Sequence, residues 1–175
     1  MKRYLPYIGS LLLLTWVLTA CSSRPEHAQA VDQLPTIYPD YIGVTVPVGI
    51  APLNFSMADD DFTDVDVEVR GQKGGTLHAN GSFADFDIDD WHQLLEDNKG
   101  SRLIVSVYAR KDDQWYKFRD FTMEVSPYPL EEWGITYRRI PPSYMLYSHM
   151  GLYQRNLSDF EERSMIENSQ VPIQY

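Results

Sequence analysis

Cysteine is nearly missing from this chain: Cys21 is the only one among 175 residues. A lone cysteine excludes an internal disulfide and any metal site built from two or more thiolates. Basic residues are also scarce, with 15 Lys plus Arg against 25 Asp plus Glu, for a formal net charge of −10. A surface that acidic repels phosphate backbones, so no nucleic-acid partner is expected, and no polybasic patch is present to grip a membrane. Only His27, His78, His92 and His149 carry imidazole, and no pair has H-x-x-x-H or H-E-x-x-H spacing, which leaves a histidine zinc site unsupported. No G-x-S-x-G elbow and no phosphate-cradling glycine loop occurs. Carboxylate pairs abound, but an acidic chain makes them by chance, so they do not indicate a glycosidase. The expectation is a protein that is not an enzyme and needs no cofactor. Long apolar runs are missing too. The stretch from Leu5 to Val17 falls short of the roughly 20 residues that span a bilayer.

That stretch has another reading. Lys2 and Arg3 precede it and small residues follow it, which is the charged, apolar, small-residue order of a secretory signal. Leu18-Thr19-Ala20-Cys21 closely resembles a lipobox, in which the leader is cut and the cysteine acylated. Residues 1–20 are therefore read as a lipoprotein signal peptide and Cys21 as the lipidation site, with the membrane as partner through that lipid. A cysteine so used also stops being a nucleophile or a thiolate ligand. Loss of the leader removes two basic residues and no acidic one, leaving 13 against 25 and a net charge of −12. Ser22 follows the cysteine without an acidic cluster, which favours the cell envelope at the periplasmic face of an outer membrane. Residues 21–37 are polar, carry Pro25 and Pro35 and show no apolar period. They read as a flexible tether spanning on the order of 20 Å.

From Tyr38 the texture changes. Tyr41–Phe55 mixes β-branched residues with Pro47, Gly49 and Pro52, and interior prolines confine a strand to a sheet edge or break it. A further strand is expected near Leu53–Ala58. Val65, Val67 and Val69 alternate with Asp66, Glu68 and Arg70, the period of a half-buried strand. Leu77, Ala79 and Phe83 suggest the next one. Ile88, Trp91, Leu94 and Leu95 form one helical stripe, with Asp87 or Asp89 as cap and Gly100 as stop. Leu103–Ala109 is apolar on both faces and belongs in the middle of a sheet. Lys111–Gln114 turns it into Trp115–Glu124, with Trp115, Lys117, Arg119 and Phe121 on alternate positions. Short strands, frequent turns and one helix predict a mainly β fold: an antiparallel immunoglobulin- or fibronectin-like β-sandwich over 38–126. Residues 127–175 are read as a partly irregular C-terminal extension, with strand candidates only at Ile135–Arg139 and Gly151–Arg155. On that division, a chain of 38–126 should melt about as cooperatively as 22–175.

Three strings then bring a family to mind: PDYIGVTVPVGIAPLNF at Pro39–Phe55, W-x-x-L-L at Trp91–Leu95, and YRRIPPSYMLYSHMGLYQRNLSDFEE at Tyr137–Glu162. They resemble the N-terminal region of Bacteroidetes envelope lipoproteins described as TolB-like or WD40-like β-propeller proteins. In that family a sandwich precedes a propeller, and G-x-Y-Q-R-N-L lies near the first blade. The resemblance implies an adaptor domain truncated before the propeller, with 127–175 as the start of the missing region. It departs from the family in having neither a C-x-x-C-H motif nor blades. Whatever the propeller binds is therefore not carried over.

Candidate sites are few. Tyr and Arg are enriched at protein interfaces, which makes Tyr137, Arg138, Arg139, Tyr153 and Arg155 the expected contacts with a propeller domain or another envelope protein. Trp115, Tyr116, Tyr137, Tyr144, Tyr147 and Tyr153 also leave open a small glycan-binding module, because sugars stack on exposed aromatic faces. Asp85, Asp87, Asp89 and Glu96 fall at positions 1, 3, 5 and 12 of a calcium-type loop. Asp90 stands where that loop needs glycine, and the helical stripe competes for the same residues, so capping and solvated acid are the favoured roles and no metal is assigned. The second acidic cluster, Asp59–Asp61 with Asp64 and Asp66, reads as a solvated turn. His92, near the helix start, reads as a surface residue.

Overall fold

The protein is described from a computed structural model covering residues 24, 25, 27–131, 133–140 and 150–168. In chain order the first strands are β1 (Gln29–Ala30), β2 (Ile37–Tyr38), β3 (Thr45–Val48) and β4 (Ser56–Met57). Next come β5 (Asp64–Gly71), β6 (Thr76–Gly81) and the helix α1 (Ile88–Asp97). They are followed by β7 (Arg102–Lys111), β8 (Gln114–Lys117) and β9 (Phe121–Pro129), then β10 (Gly134–Arg139), β11 (Gly151–Asn156) and β12 (Glu162–Glu167).

The valine alternation builds the frame. β5 lies antiparallel to β7 over its full length, pairing Val65 with Ala109, Val67 with Val107 and Val69 with Val105. All six are essentially without solvent contact, and each buried valine contributes roughly 1.5–3 kcal/mol. β6 flanks β5 on one side. The other side of β7 is shared, β8 pairing with its C-terminal half and β9 with its N-terminal half.

β8 and β9 are one strand with a bulge. Lys117 opposes Tyr108 and Phe118 donates to the Val107 carbonyl, whereas Phe121 opposes Val105. Arg119 and Asp120 together therefore face Ser106, two residues against one. The extra residue reverses the alternation expected for Trp115, Lys117, Arg119 and Phe121. Trp115 and Lys117 lie on the polar face, and Phe118 and Phe121 both enter the core.

The mainly β sandwich with one short helix expected from the sequence is the fold found, with a thin second layer. β2 and β4 form a two-stranded sheet, extended by the Phe55–Ala84 bridge, and α1 packs against β3, β5 and β6. Asp87 caps α1 by accepting from the Asp89 and Asp90 amides at 2.9 and 3.1 Å. Trp91, the largest fully buried side chain, stacks on Phe86 and donates to the Ile50 carbonyl at 3.1 Å. At the other end Asn98, wholly buried, accepts from the Lys73 amide and donates to the Gly74 and Leu94 carbonyls. Gly71 makes room for it, since a Cβ there would lie 2.0 Å from the Asn98 amide nitrogen. The hairpin between β7 and β8 turns through Asp112 and Asp113, both left-handed, as a two-residue loop of this twist requires.

Two boundaries read from the sequence are corrected. The segment taken as tether enters the sheet: β1 runs parallel to β8, Val31 donates to the Lys117 carbonyl, and Arg119 donates to the Gln33 carbonyl. Pro35 and Ile37 are buried in the core layer. The polar composition concealed this, because an edge strand needs only backbone groups and the bulge at Arg119 presents them. At the other end β9 continues to Pro129, and Leu130 donates to the Val48 carbonyl. Beyond it, β10, β11 and β12 form a three-stranded antiparallel sheet, with β12 unforeseen. β3 lies at the edge of the main sheet, parallel to β9, with its register shift at Pro47, as a proline demands.

Replacing Asn98 by alanine removes its side-chain hydrogen bonds to the Lys73 amide and the Gly74 and Leu94 carbonyls, leaves a cavity at a fully buried position, and should cost about 2–3 kcal/mol in urea unfolding. A chain starting at Tyr38 loses Pro35, Ile37 and the β1 ladder, and should be less stable than one starting at Ser22 by about 3–5 kcal/mol. Equal urea midpoints for those two chains would return residues 24–37 to the role of a tether.

Candidate functional site

Two surfaces gather chemistry-bearing side chains. The first is the C-terminal sheet, where four of the five interface candidates come together. Tyr137 and Tyr153 are register partners, and their rings stack at 6.2 Å between centroids. The Arg139 guanidinium lies 4.5 Å from the Tyr153 ring and donates to both Glu162 carboxylate oxygens at 2.9 Å. The Tyr137 hydroxyl donates to the same carboxylate, and the Tyr153 hydroxyl to Glu167. Arg155 covers Phe160 on that face. Arg138 points to the opposite face, at the edge of a shallow hollow with Leu152 and Ile166, so the five candidates do not form one patch. Tyr144, Tyr147 and His149 lie outside the described residues, as does Cys21.

The second surface was not anticipated. On the polar face of the main sheet, Glu68 sits at 4% exposure in the middle of β5. A carboxylate so buried needs a close cation, and Arg24 supplies it. Its guanidinium donates to both Glu68 oxygens at 2.6 Å, and its Nε donates at 3.2 Å. Arg70 adds a second contact at 2.9 Å, and His78 Nε2 lies 3.7 Å away. The carboxylate in turn holds the Arg24 charge on, raising its pKa above the usual guanidinium value. Lys117 lies over the buried Tyr108 ring and pairs with Asp120 at 3.1 Å. Glu68 and Arg70, two apart on one strand, hinted at charge on a common face. Nothing local connects either to Arg24, 44 residues earlier than Glu68.

Beside this cluster the acids of β5 are opposed in character. Arg110 and Thr63 hydrogen-bond the Asp64 carboxylate and hold its pKa below the ordinary value of 3.8. Burial, with the Glu68 charge adding to it, pushes the half-buried Asp66 carboxyl above 3.8 against the pull of His78 and Arg24.

The calcium-type spacing is not realised as a loop. Asp87 is the helix cap, Asp85 accepts from Asn54 at 2.6 Å, and Glu96 lies a further two turns along α1 beside Lys99. The helical stripe wins because Trp91, Leu94 and Leu95 bury apolar surface that a cation loop would expose. Among the described residues, no three His, Cys, Asp or Glu side chains converge on a point that would hold a metal. The reading of His92 as a surface residue needs adjustment. Its Nε2 is buried without a hydrogen-bond partner among the described residues, beside a shallow hollow bounded by Val48, Asp89 and Glu96.

Among the described residues no helix is long and apolar enough to cross a membrane. No family model matches the chain, and no curated protein matches its sequence.

The opposed acids give a pH test. A carboxyl whose pKa is raised on folding contributes stability that is complete below its unfolded value and disappears as pH rises past the folded one. Asp66→Asn should therefore raise the melting temperature at pH 7, and the gain should vanish as pH falls to about 3.8. Thermal melts between pH 3.5 and 7.5 read this directly. A gain unchanged across that range would trace the effect to packing instead.

Proposed function

We propose that this chain is a lipid-anchored cell-envelope protein, held at the membrane through Cys21, whose folded part is a non-enzymatic interaction domain of the TolB-like propeller type. The leader and the Leu18-Thr19-Ala20-Cys21 string support the anchor. The exposed C-terminal sheet carries the interaction reading. Trp133, Ile135, Leu152, Phe160, Met165 and Ile166 are each at least 40% exposed, although they lie in or beside β10, β11 and β12. A three-stranded sheet usually owes its stability to one packed apolar face, and this sheet has apolar side chains in water on both. Among the described residues a backbone hydrogen bond ties it to the rest of the domain, from the Ala51 amide to the Leu157 carbonyl at 2.7 Å. A protein surface laid over either face would bury the large side chains exposed there and complete that side's packing.

A sugar partner fits this sheet less well. The Tyr137 and Tyr153 rings already cover one another, and Arg139 occupies the Tyr153 face, where a pyranose would stack.

The anchor is tested by fractionating cells that make the native chain. Wild type should sediment with membranes and carry acyl mass on its N-terminal peptide, and Cys21→Ala should appear in the soluble fraction. The interaction reading is tested by hydrogen exchange. Amides of β10, β11 and β12 should exchange fast in the purified chain and severalfold more slowly in isolated envelopes. Equal rates in both settings would remove the partner, and slowing by purified envelope glycan alone would move the reading to a glycan-binding module.

A further inference from the structure

Arg24, β1, Pro35 and Ile37 are each fixed to the domain, through the Arg24–Glu68 pair, the β1 ladder and burial in the core layer. Only Ser22 and Ser23 separate Arg24 from Cys21. Three Cα steps reach at most about 11 Å, so the Cys21 Cα must lie within that distance of the Arg24 Cα. Arg24 itself lies over the polar face of the sheet, above Glu68. A lipid on Cys21 would therefore leave the domain from that face and not from a long leash.

The charges on the two sides differ accordingly. On the polar face three acids have cations in place: Asp64 has Arg110, Glu68 has Arg24 and Arg70, and Asp120 has Lys117, while half-buried Asp66 feels the pull of His78 and Arg24. The opposite, apolar face of the sheet is covered by α1. The helix and its approach carry Asp85, Asp87, Asp89, Asp90, Glu96 and Asp97, with no Lys or Arg before Lys99. Phosphate headgroups repel the second surface and tolerate the first.

We propose that the outer face of β5, β6, β7 and β8 is the membrane-facing surface of the protein. Its partner is the phosphate headgroup layer of a bilayer, and the Arg24–Glu68 pair is the latch that keeps the anchor on that side. This rests on lipidation at Cys21. The latch sets a short standoff and a fixed orientation, turning the acidic helix toward the aqueous side.

The test uses the full lipidated chain, purified from membranes and reconstituted into phosphatidylethanolamine–phosphatidylglycerol vesicles with nitroxide-labelled headgroups. Acylated Cys21 does not react with thiol probes, so a fluorophore is placed at Asn80→Cys on the polar face or at Gln93→Cys on α1, both exposed positions. The label at position 80 should be quenched severalfold more than the label at 93, and Arg24→Ala should bring the two together. Because Glu68 keeps Arg70 in that variant, the fold should persist, and its thermal melt checks this. Equal quenching at both positions in the otherwise native chain would overturn the orientation. A difference that survives Arg24→Ala would overturn the latch. Absence of acyl mass on the purified protein would instead show that lipidation itself had failed, and the orientation would fall with it.

Discussion

The long antiparallel pairing of β5 with β7 is the constraint on which the other elements depend. One face of that pair is an unbroken apolar surface, and it must be covered. α1, the β2–β4 sheet and the Phe55–Ala84 bridge are the cover, with Trp91 at its centre. The other face is polar and carries Glu68, which must also be dealt with, because a lone buried carboxylate is strongly unfavourable. The N-terminal strap solves that by placing Arg24 over it. The two requirements act on opposite faces of one strand, and together they draw in sequence from Arg24 to Val125.

Patterns that repeat locally were legible. The alternation in β5, the double apolar character of β7, the Asp87 cap and the acidic turn at Asp112-Asp113 each depend on residues within a few positions of one another. What lay outside local reach was not legible. The bulge at Arg119 and Asp120 has no composition of its own, yet it decides that Phe121 faces the core. β1 is two residues of polar chain whose strand character comes wholly from its partner. β12, Glu162–Glu167, has no buried position to impose a period. The Glu68–Arg24 pair joins residues far apart in sequence, and only the fold brings them together.

The interface candidates divide along the same line. Tyr137, Arg139, Tyr153 and Arg155 gather because every second residue of paired strands shares a face, and Arg138 falls on the other side for the same reason. Their mutual contacts use much of the hydrogen-bonding capacity that a partner would otherwise meet: Glu162 alone receives Tyr137 and Arg139. What this sheet offers to another molecule is therefore mainly its apolar rims, Trp133 and Ile135 at one strand and Met165 and Ile166 at another.

The strap also carries a consequence for the order of events in a chain made from its N-terminus. The neighbours of β1 are Tyr116 and Lys117, so no partner for it exists until two thirds of the polypeptide has been synthesised. β3 waits longer still, for Glu124 and Val125. Throughout that interval the residues of β1 have no sheet to join, and if the leader is cut as proposed, the enzyme meets an open substrate. Once β8 and β9 arrive, Arg24 closes over Glu68 and the same stretch becomes part of the domain. The interval in which Arg24 and β1 stay open, and in which the proposed processing would have to occur, is thus set by the distance in sequence between two short strands.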